Sequence, residues 1–215
     1  MIYLLGGGKG FINDVGEEFK STLKDTNSIV FIPTSPEDMD KCEKYKKINL
    51  EWFREIGIKF DKVKLINSQD NIEIAKNKIT ESEVVFLMGG NPISQLKFIL
   101  DKELDKNLKE HKGIIIGVSA GALSICKKCI ITKDEDFSEN IVLDGINLTN
   151  GINVEVHYTN DHDDDIYEII KEQKLTEIYG IPEDCALKLE NGTMKFIGRK
   201  KLYVLKQDFK EEIEI

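Results

Sequence analysis

Gly117-Val118-Ser119-Ala120-Gly121 sets one serine between two glycines, after the apolar run Ile114-Ile115-Ile116 and before Ala122-Leu123. A sharp strand-to-helix turn holds such a hydroxyl clear of the sheet, and glycines two residues to either side let the chain turn without a Cβ clash. The next backbone N–H, on Ala120, then opens a helix and is free to bind an oxyanion. The chemistry that fits is nucleophilic attack on a carbonyl. The plain alternative is a small-residue turn with no chemistry.

A serine nucleophile needs a base, and the chain has 3 histidines. His111 lies in a polar stretch and reads as a solvated helix end. His162 lies in Asp161-His162-Asp163-Asp164-Asp165, a polar loop entering a helix. His157 closes the apolar run Val154-Glu155-Val156-His157-Tyr158, where a strand end can aim a side chain at a neighbouring turn. An imidazole with a pKa of about 6.5 accepts a serine proton at neutral pH, so His157 is the expected general base. A carboxylate should hold its other nitrogen. Asp134, Glu135, Asp136, Asp161 and Glu183 are all candidates, and spacing does not choose among them.

A second glycine signal is Met88-Gly89-Gly90-Asn91-Pro92, between the strand Val84–Met88 and a helix. Two glycines there let backbone N–H groups approach a ligand and complete an oxyanion hole. Asn91 serves either as helix N-cap or as a substrate contact. Other patterns carry less. Cys126-Lys127-Lys128-Cys129 has the CxxC spacing but no second pair, and reads as small residues at a helix end. Gly6-Gly7-Gly8-Lys9-Gly10 fails the phosphate-loop pattern and reads as a strand-end turn bordering the site. The 161–165 acidic run suits a helix N-terminus better than a metal site, and Lys44-Tyr45-Lys46-Lys47 reads as a solvated helix face.

The elements that must position these residues alternate. Ile2–Leu5, Ser28–Ile32, Lys62–Ile66, Val84–Met88 and Gly113–Gly117 are short apolar runs without polar alternation, as strands covered on both faces should be. Between them, Tyr45, Ile48, Asn49, Trp52, Phe53 and Ile56 recur at helical spacing, and Gly57 ends the run. Ile72, Ala75 and Ile79 repeat the pattern, then Leu96, Ile99, Leu100, Leu104 and Leu108. After Cys126 the strand pieces are Cys129–Thr132, Ile141–Leu143 and Val154–Tyr158, followed by a helix from Asp163 to Lys174. Ile178–Ile181, Ala186–Leu189, Met194–Ile197 and Leu202–Leu205 close the chain as short strands, with Asn191-Gly192 as a tight turn. The expectation is one α/β domain over 1–215, a mostly parallel sheet flanked by helices with a C-terminal β-ribbon.

Composition bounds the function. The chain has 215 residues, 39 acidic against 30 basic, and a net charge of −9. Its pI is near 5.0 and its mean hydropathy −0.30. Arg54 and Arg199 are the only arginines, and outside the short Gly198-Arg199-Lys200-Lys201 run no concentrated cationic face is expected for nucleic acid. No apolar run reaches the roughly 18 residues a membrane span needs. The first five residues lack the basic lead of a signal peptide. The 4 cysteines read as free thiols in a reducing cytoplasm.

Gly-x-Ser-Ala-Gly-Ala at 117–122, Gly-Gly-Asn at 89–91 and His-Tyr at 157–158 together resemble the peptidase E group of serine peptidases, family S51, with its aspartyl dipeptidases and cyanophycinases. The resemblance spans nearly the whole chain. It implies a class I glutamine amidotransferase-like fold, with serine where the amidotransferases carry cysteine. Carried over, the nucleophile falls on Ser119 and the base on His157. The third member falls on Asp134, with Glu135 its near competitor, and the oxyanion donors on Gly89 and Ala120. Gly90 and Asn91 fall in the substrate contact region.

The resemblance also implies a small peptide as partner, Asp-Xaa hydrolysis, and no metal or organic cofactor. Aspartyl specificity needs a cation near the P1 carboxylate. Gly180-Ile181-Pro182-Glu183-Asp184, where the dipeptidase branch should supply one, is acidic. The rival readings are a non-catalytic binding protein on the same fold and a metal-dependent hydrolase built on His157, His162 and the acidic run. Oligomeric state, monomer or homodimer, is not legible.

Overall fold

The computed structural model describes residues 1–207 and 209–213; of the expected domain over 1–215, Asp208, Glu214 and Ile215 lie outside the described residues. The strands are β1 Ile2–Leu5, β2 Ser28–Ile32, β3 Lys62–Leu65, β4 Val84–Leu87, β5 Ile114–Val118, β6 Lys128–Ile131 and β7 Ile141–Asp144. They continue with β8 Val154–Val156, β9 Glu177–Ile181, β10 Ala186–Glu190, β11 Thr193–Ile197, β12 Leu202–Lys206 and β13 Phe209–Ile213. The helices are α1 Asn13–Thr22, α2 Met39–Glu55, α3 Ile72–Thr80, α4 Pro92–Asp101, α5 Asp105–Glu110, α6 Ala120–Ile125 and α7 Asp163–Gln173.

The central sheet runs β11-β10-β1-β5-β4-β2-β3. Its strands from β1 to β3 are parallel, and β10 and β11 join antiparallel at the β1 edge. Alternate residues of each strand feed opposite cores, which explains the unbroken apolar runs. Ile29, Phe31, Val84 and Phe86 pack with Val15, Phe19 and Phe53 of α1 and α2. Val30, Ile32, Val85 and Leu87 pack on the other face with Ala75, Ile79, Leu96 and Ile99 of α3 and α4. The mostly parallel sheet with helices on both faces is the architecture that the sequence pattern predicts.

A second sheet, β13-β12-β9-β8, carries the later part of the chain. Ile166, Ile169 and Ile170 of α7 pack on its Ile178 and Leu205. The β12–β13 hairpin is the C-terminal ribbon, and β6 and β7 form a separate antiparallel pair.

Four local differences have physical causes. The apolar spacing from Leu96 to Leu108 reads as one continuous stripe, but Glu103 takes φ 53 and divides it into α4 and α5. Periodicity survives such a break because both helices face the same core. The run Val154–Tyr158 shortens to β8, since His157 leaves the strand at φ 51. The helix α1 is absent from the spacing argument, with only Val15, Gly16 and Phe19 buried. The strand β13 also has no apolar signal, because charged residues fill an edge strand of the ribbon.

The helix α2 closes as the sequence requires. Asp38 caps its start, accepting from the Lys41 N–H at 2.9 Å. At its end Gly57 takes φ 82, and the Ile58 N–H reaches back to the Phe53 carbonyl at 2.9 Å. Phe53 is fully buried against Phe11, Phe60 and Phe86, which fixes the helix on the sheet. Removing that ring should cost about 3–5 kcal/mol.

Candidate active site

The carboxyl ends of β1, β4 and β5 meet where the strand order departs from the chain order, the place where open α/β sheets leave a crevice for ligands. A cavity of about 810 Å³ opens there. Gly7 and Gly8 follow β1, Gly89 and Gly90 follow β4, and Ser119 follows β5; all line it.

Ser119 stands at the junction of β5 and α6 with φ 51 and ψ −115, a conformation costly for any residue with a Cβ. Its N–H donates to the Leu5 carbonyl at 3.0 Å, and its carbonyl accepts from Ala122 and Leu123 at 2.8 and 3.1 Å. These bonds hold the turn in place. The flanking glycines are required by close approach: a Cβ on Gly117 would lie 2.6 Å from the Gly121 carbonyl oxygen, and one on Gly121 would lie 2.3 Å from that of Leu87.

His157 lies across from it, with Nε2 2.8 Å from Ser119 Oγ. The strand β8 delivers the ring, and the His157 N–H donates to the Gly6 carbonyl at 2.7 Å. The ring then packs over Gly7, where a Cβ would fall 2.1 Å from Cε1. The triple glycine therefore borders the site, as its strand-end reading predicts.

The His157 Nδ1 meets Glu183, whose Oε1 is 2.9 Å away. Glu183 sits in the loop from β9 to β10. That loop is tied to the β1 end by Gly6 N–H to Cys185 carbonyl at 3.0 Å and Asp184 N–H to Gly7 carbonyl at 3.1 Å. Asp134, the acid that the family resemblance favours, makes a different set of bonds. Its Oδ1 accepts from the N–H groups of Asp136 and Phe137 at 2.8 Å each, closing a turn, although the residue lines the cavity. Neither Asp134 nor Glu135 is bonded to His157 among the described residues; Glu183 occupies that place. The sequence holds Glu183 among five open candidates, and only the pairing of β10 with β1 singles it out.

Gly89 and Ala120 flank Ser119. A Cβ on Gly89 would stand 3.6 Å from that of Ser119, and its N–H makes no backbone hydrogen bond among the described residues. Thr34 Oγ1 donates to the Gly89 carbonyl at 3.0 Å and so holds the adjoining Gly89–Gly90 peptide. Ala120 is the first residue of α6, where a helical N–H has no partner within the helix. Gly90 lines the cavity, whereas Asn91 caps α4, accepting from the Ser94 N–H at 2.9 Å. Of its two readings, the structure shows the cap.

Two wall features, the α2 side chains and Glu155, escape the sequence argument. Tyr45, Ile48, Asn49 and Trp52 of α2 form one side of the cavity. Tyr45 and Ile48 are 44% and 38% exposed, so part of the predicted buried stripe, and Tyr45 of the Lys44–Lys47 face, serve the site instead. Glu155 and His162 line the cavity as well. Glu155 Oε1 accepts from Thr132 Oγ1 at 2.6 Å and lies 3.0 Å from His162 Nδ1. That contact raises the His162 pKa against the effect of its burial.

His111 is not solvated: it is partly buried at the end of α5, and burial lowers its pKa. Cys126 and Cys129 are buried, and burial pushes the Cys129 thiol up to about 12. Asp163, Asp164 and Asp165 form the first turn of α7, where Asp165 pairs with Lys133 at 2.7 Å. Among the described residues no helix is long and apolar enough to cross a membrane.

A serine at a strained strand-to-helix elbow, bonded to a histidine that is bonded to a carboxylate, on a mostly parallel α/β sheet, defines the hydrolase class of such folds. The particular family follows from comparison: the family model of peptidase family S51 matches residues 2–197, and the chain belongs to that family. It is 30% identical to a peptidase E of Nostoc sp. (strain PCC 7120 / SAG 25.82 / UTEX 2576), over 93% of this chain and 84% of that protein. Its fold is similar to the crystal structure of a peptidase from an acI-B1 Actinobacterium, with a TM-score of 0.70 at 16% identity, covering 99% of this chain and 93% of the other. It is also similar to the crystal structure of a putative peptidase E protein from Listeria monocytogenes EGD-e, with a TM-score of 0.66 at 19% identity, covering 91% and 96%. The chain is thus a peptidase of family S51 with a peptidase E-type fold.

Proposed function

We propose that this protein is a serine peptidase that cleaves short peptides through an acyl-enzyme, with Ser119 as nucleophile, His157 as base and Glu183 as its orienting carboxylate. The observation that carries this reading is the unbroken relay from Ser119 Oγ to His157 Nε2 at 2.8 Å and from His157 Nδ1 to Glu183 at 2.9 Å. Ser119 Oγ attacks the scissile carbonyl while His157 Nε2 takes its proton. The N–H groups of Gly89 and Ala120 receive the oxyanion. His157 then gives the proton to the leaving amine, and a water, deprotonated by His157, releases the acid and frees Ser119. Glu183 holds the ring with Nε2 toward the serine and stabilises the imidazolium formed in each half-reaction.

The cavity of about 810 Å³ suits a few residues of an extended peptide rather than a folded chain. The family membership supports peptide hydrolysis; the serine mechanism, the single-domain organisation and a cytoplasmic setting are part of this proposal. The test is intact-mass labelling with a fluorophosphonate, together with turnover of a dipeptide panel that includes Asp-Xaa. One adduct on wild type, absent in Ser119→Ala, with turnover lost in Ser119→Ala and His157→Ala, is the expected result. Turnover that survives Ser119→Ala overturns the mechanism. Binding of peptides with neither adduct nor turnover would mark a non-catalytic relative.

A further inference from the structure

Glu155 is 3% exposed, yet it forms part of the wall of the catalytic cavity. It stands two residues before His157 on the strand that ends at the site. Its Oε1 is engaged by Thr132 and His162, whereas Oε2 is buried with no hydrogen-bond partner among the described residues. The His162 Nδ1 likewise has no hydrogen-bond partner among the described residues, although it stands 3.0 Å from Glu155 Oε1. A buried carboxylate oxygen left unpaired is costly, and a positive donor arriving beside it recovers that cost.

The surrounding wall adds further carboxylates. Among the described lining residues Asp134, Asp136 and Glu155 stand against one lysine, Lys9, and the rings of His157 and His162. Of these rings, His157 is bonded to Ser119 and Glu183, and His162 approaches only the Oε1 of Glu155. The Oδ1 of Asp134 is turned to its own loop, but its charge remains at the cavity. An aspartate side chain entering this space would meet like charges without an arginine fork to receive it.

We propose that Glu155 is a specificity-determining residue that accepts a cation, so that the preferred peptides carry a protonated nitrogen on the acyl side of the scissile bond. This inference rests on the peptidase reading of the same cavity. The nitrogen is either the α-ammonium of the first residue or a basic P1 side chain. Both present N⁺–H donors to a carboxylate, and the test separates them.

The test measures binding on Ser119→Ala protein by calorimetry, so its outcome does not depend on turnover. The ligands are Lys-Ala, norleucyl-Ala and Asp-Ala, each with a free and an acetylated N-terminus, and the same set is titrated into Ser119→Ala/Glu155→Gln. A basic side-chain subsite makes Lys-Ala bind at least tenfold tighter than norleucyl-Ala and Asp-Ala. An α-ammonium subsite makes acetylation cost at least tenfold with all three. In either case the preference collapses to within about twofold in the Glu155→Gln protein, while binding of acetyl-norleucyl-Ala is unchanged. Tightest binding of acetyl-Asp-Ala, which carries no cation, or a cation preference that survives Glu155→Gln, overturns the proposal. So does equal binding of all six ligands. Wild-type turnover of the same peptides reports separately on the serine mechanism.

Discussion

Glu183 Oε1 stands 2.9 Å from His157 Nδ1, at the ring nitrogen away from Ser119. The side chains of this pair are 44% and 54% exposed, so solvent screens the charge and the interaction acts chiefly through orientation. Glu183→Gln should therefore lower kcat by roughly 10–100-fold, less than the loss of about 10⁴ known for a buried triad aspartate. Asp134→Asn should leave kcat within about threefold, because its carboxylate orders a turn and not the histidine. Steady-state kinetics of the two variants decides between the acids. A larger loss in Asp134→Asn would return the third role to the 134–136 loop.

Ser119 holds φ 51 within a turn that three backbone hydrogen bonds fix. Both Ser119→Ala and Ser119→Gly should abolish turnover, but they should differ in stability. Glycine adopts this conformation freely, whereas alanine keeps the Cβ that makes it costly. Ser119→Gly should unfold at higher urea than Ser119→Ala, by about 1 kcal/mol after the unfolded-state entropy of glycine is counted. The reverse order, at equal m-values, would mean that the elbow stores no strain.

Much of this fold is legible because burial on two faces writes itself as unbroken apolar strands. Ile2–Leu5 and Ser28–Ile32 occur in the structure with the same bounds that the pattern predicts. The serine elbow is legible because Gly117, Ser119 and Gly121 lie within five residues of one another. Glu183 and Glu155 are not legible in that way. Glu183 reaches His157 through the register of Leu5 on Ala186, a pairing between residues about 180 positions apart. Glu155 becomes buried and half-paired only when Thr132 and His162 close on it from other segments. Local periodicity carries no record of either meeting. The α2 wall is hidden for another reason: an exposed Tyr45 or Ile48 has the same spacing as a buried one, and only the cavity tells them apart.

Gly7 has φ 120 and lies under the His157 ring, where a Cβ would fall 2.1 Å from Cε1. Gly7→Ala must displace the imidazole or the β1 end that carries it. A shift of about 1 Å at this ring should cost on the order of 100-fold in kcat/KM. The global fold should lose only about 1–3 kcal/mol of backbone strain. Fluorophosphonate labelling rates and a thermal melt on the same preparation separate the two effects. Labelling at the wild-type rate would mean that His157 finds the serine without the glycine cradle.

Glu18 on α1 joins the helix to three strands of the central sheet. Tyr3 donates to its Oε1 at 3.0 Å, while Lys188 and Lys195 stand 3.1 and 3.0 Å from its two oxygens. Burial pushes its pKa up, but the hydrogen bonds from Lys195, Lys188 and Tyr3 outweigh it and bring the value down to about 2 from 4.5. A depressed carboxylate contributes stability above its unfolded pKa and loses it as pH falls through the folded one. The contribution of Glu18 is therefore complete above about pH 5 and gone near pH 2, and should amount to about 2 kcal/mol after solvent screening. Glu18→Gln should cost that much at pH 7 and almost nothing at pH 2, as urea denaturation at the two pH values would report. An equal cost at both would show that the packing of the side chain, rather than its charge, ties α1 to the sheet.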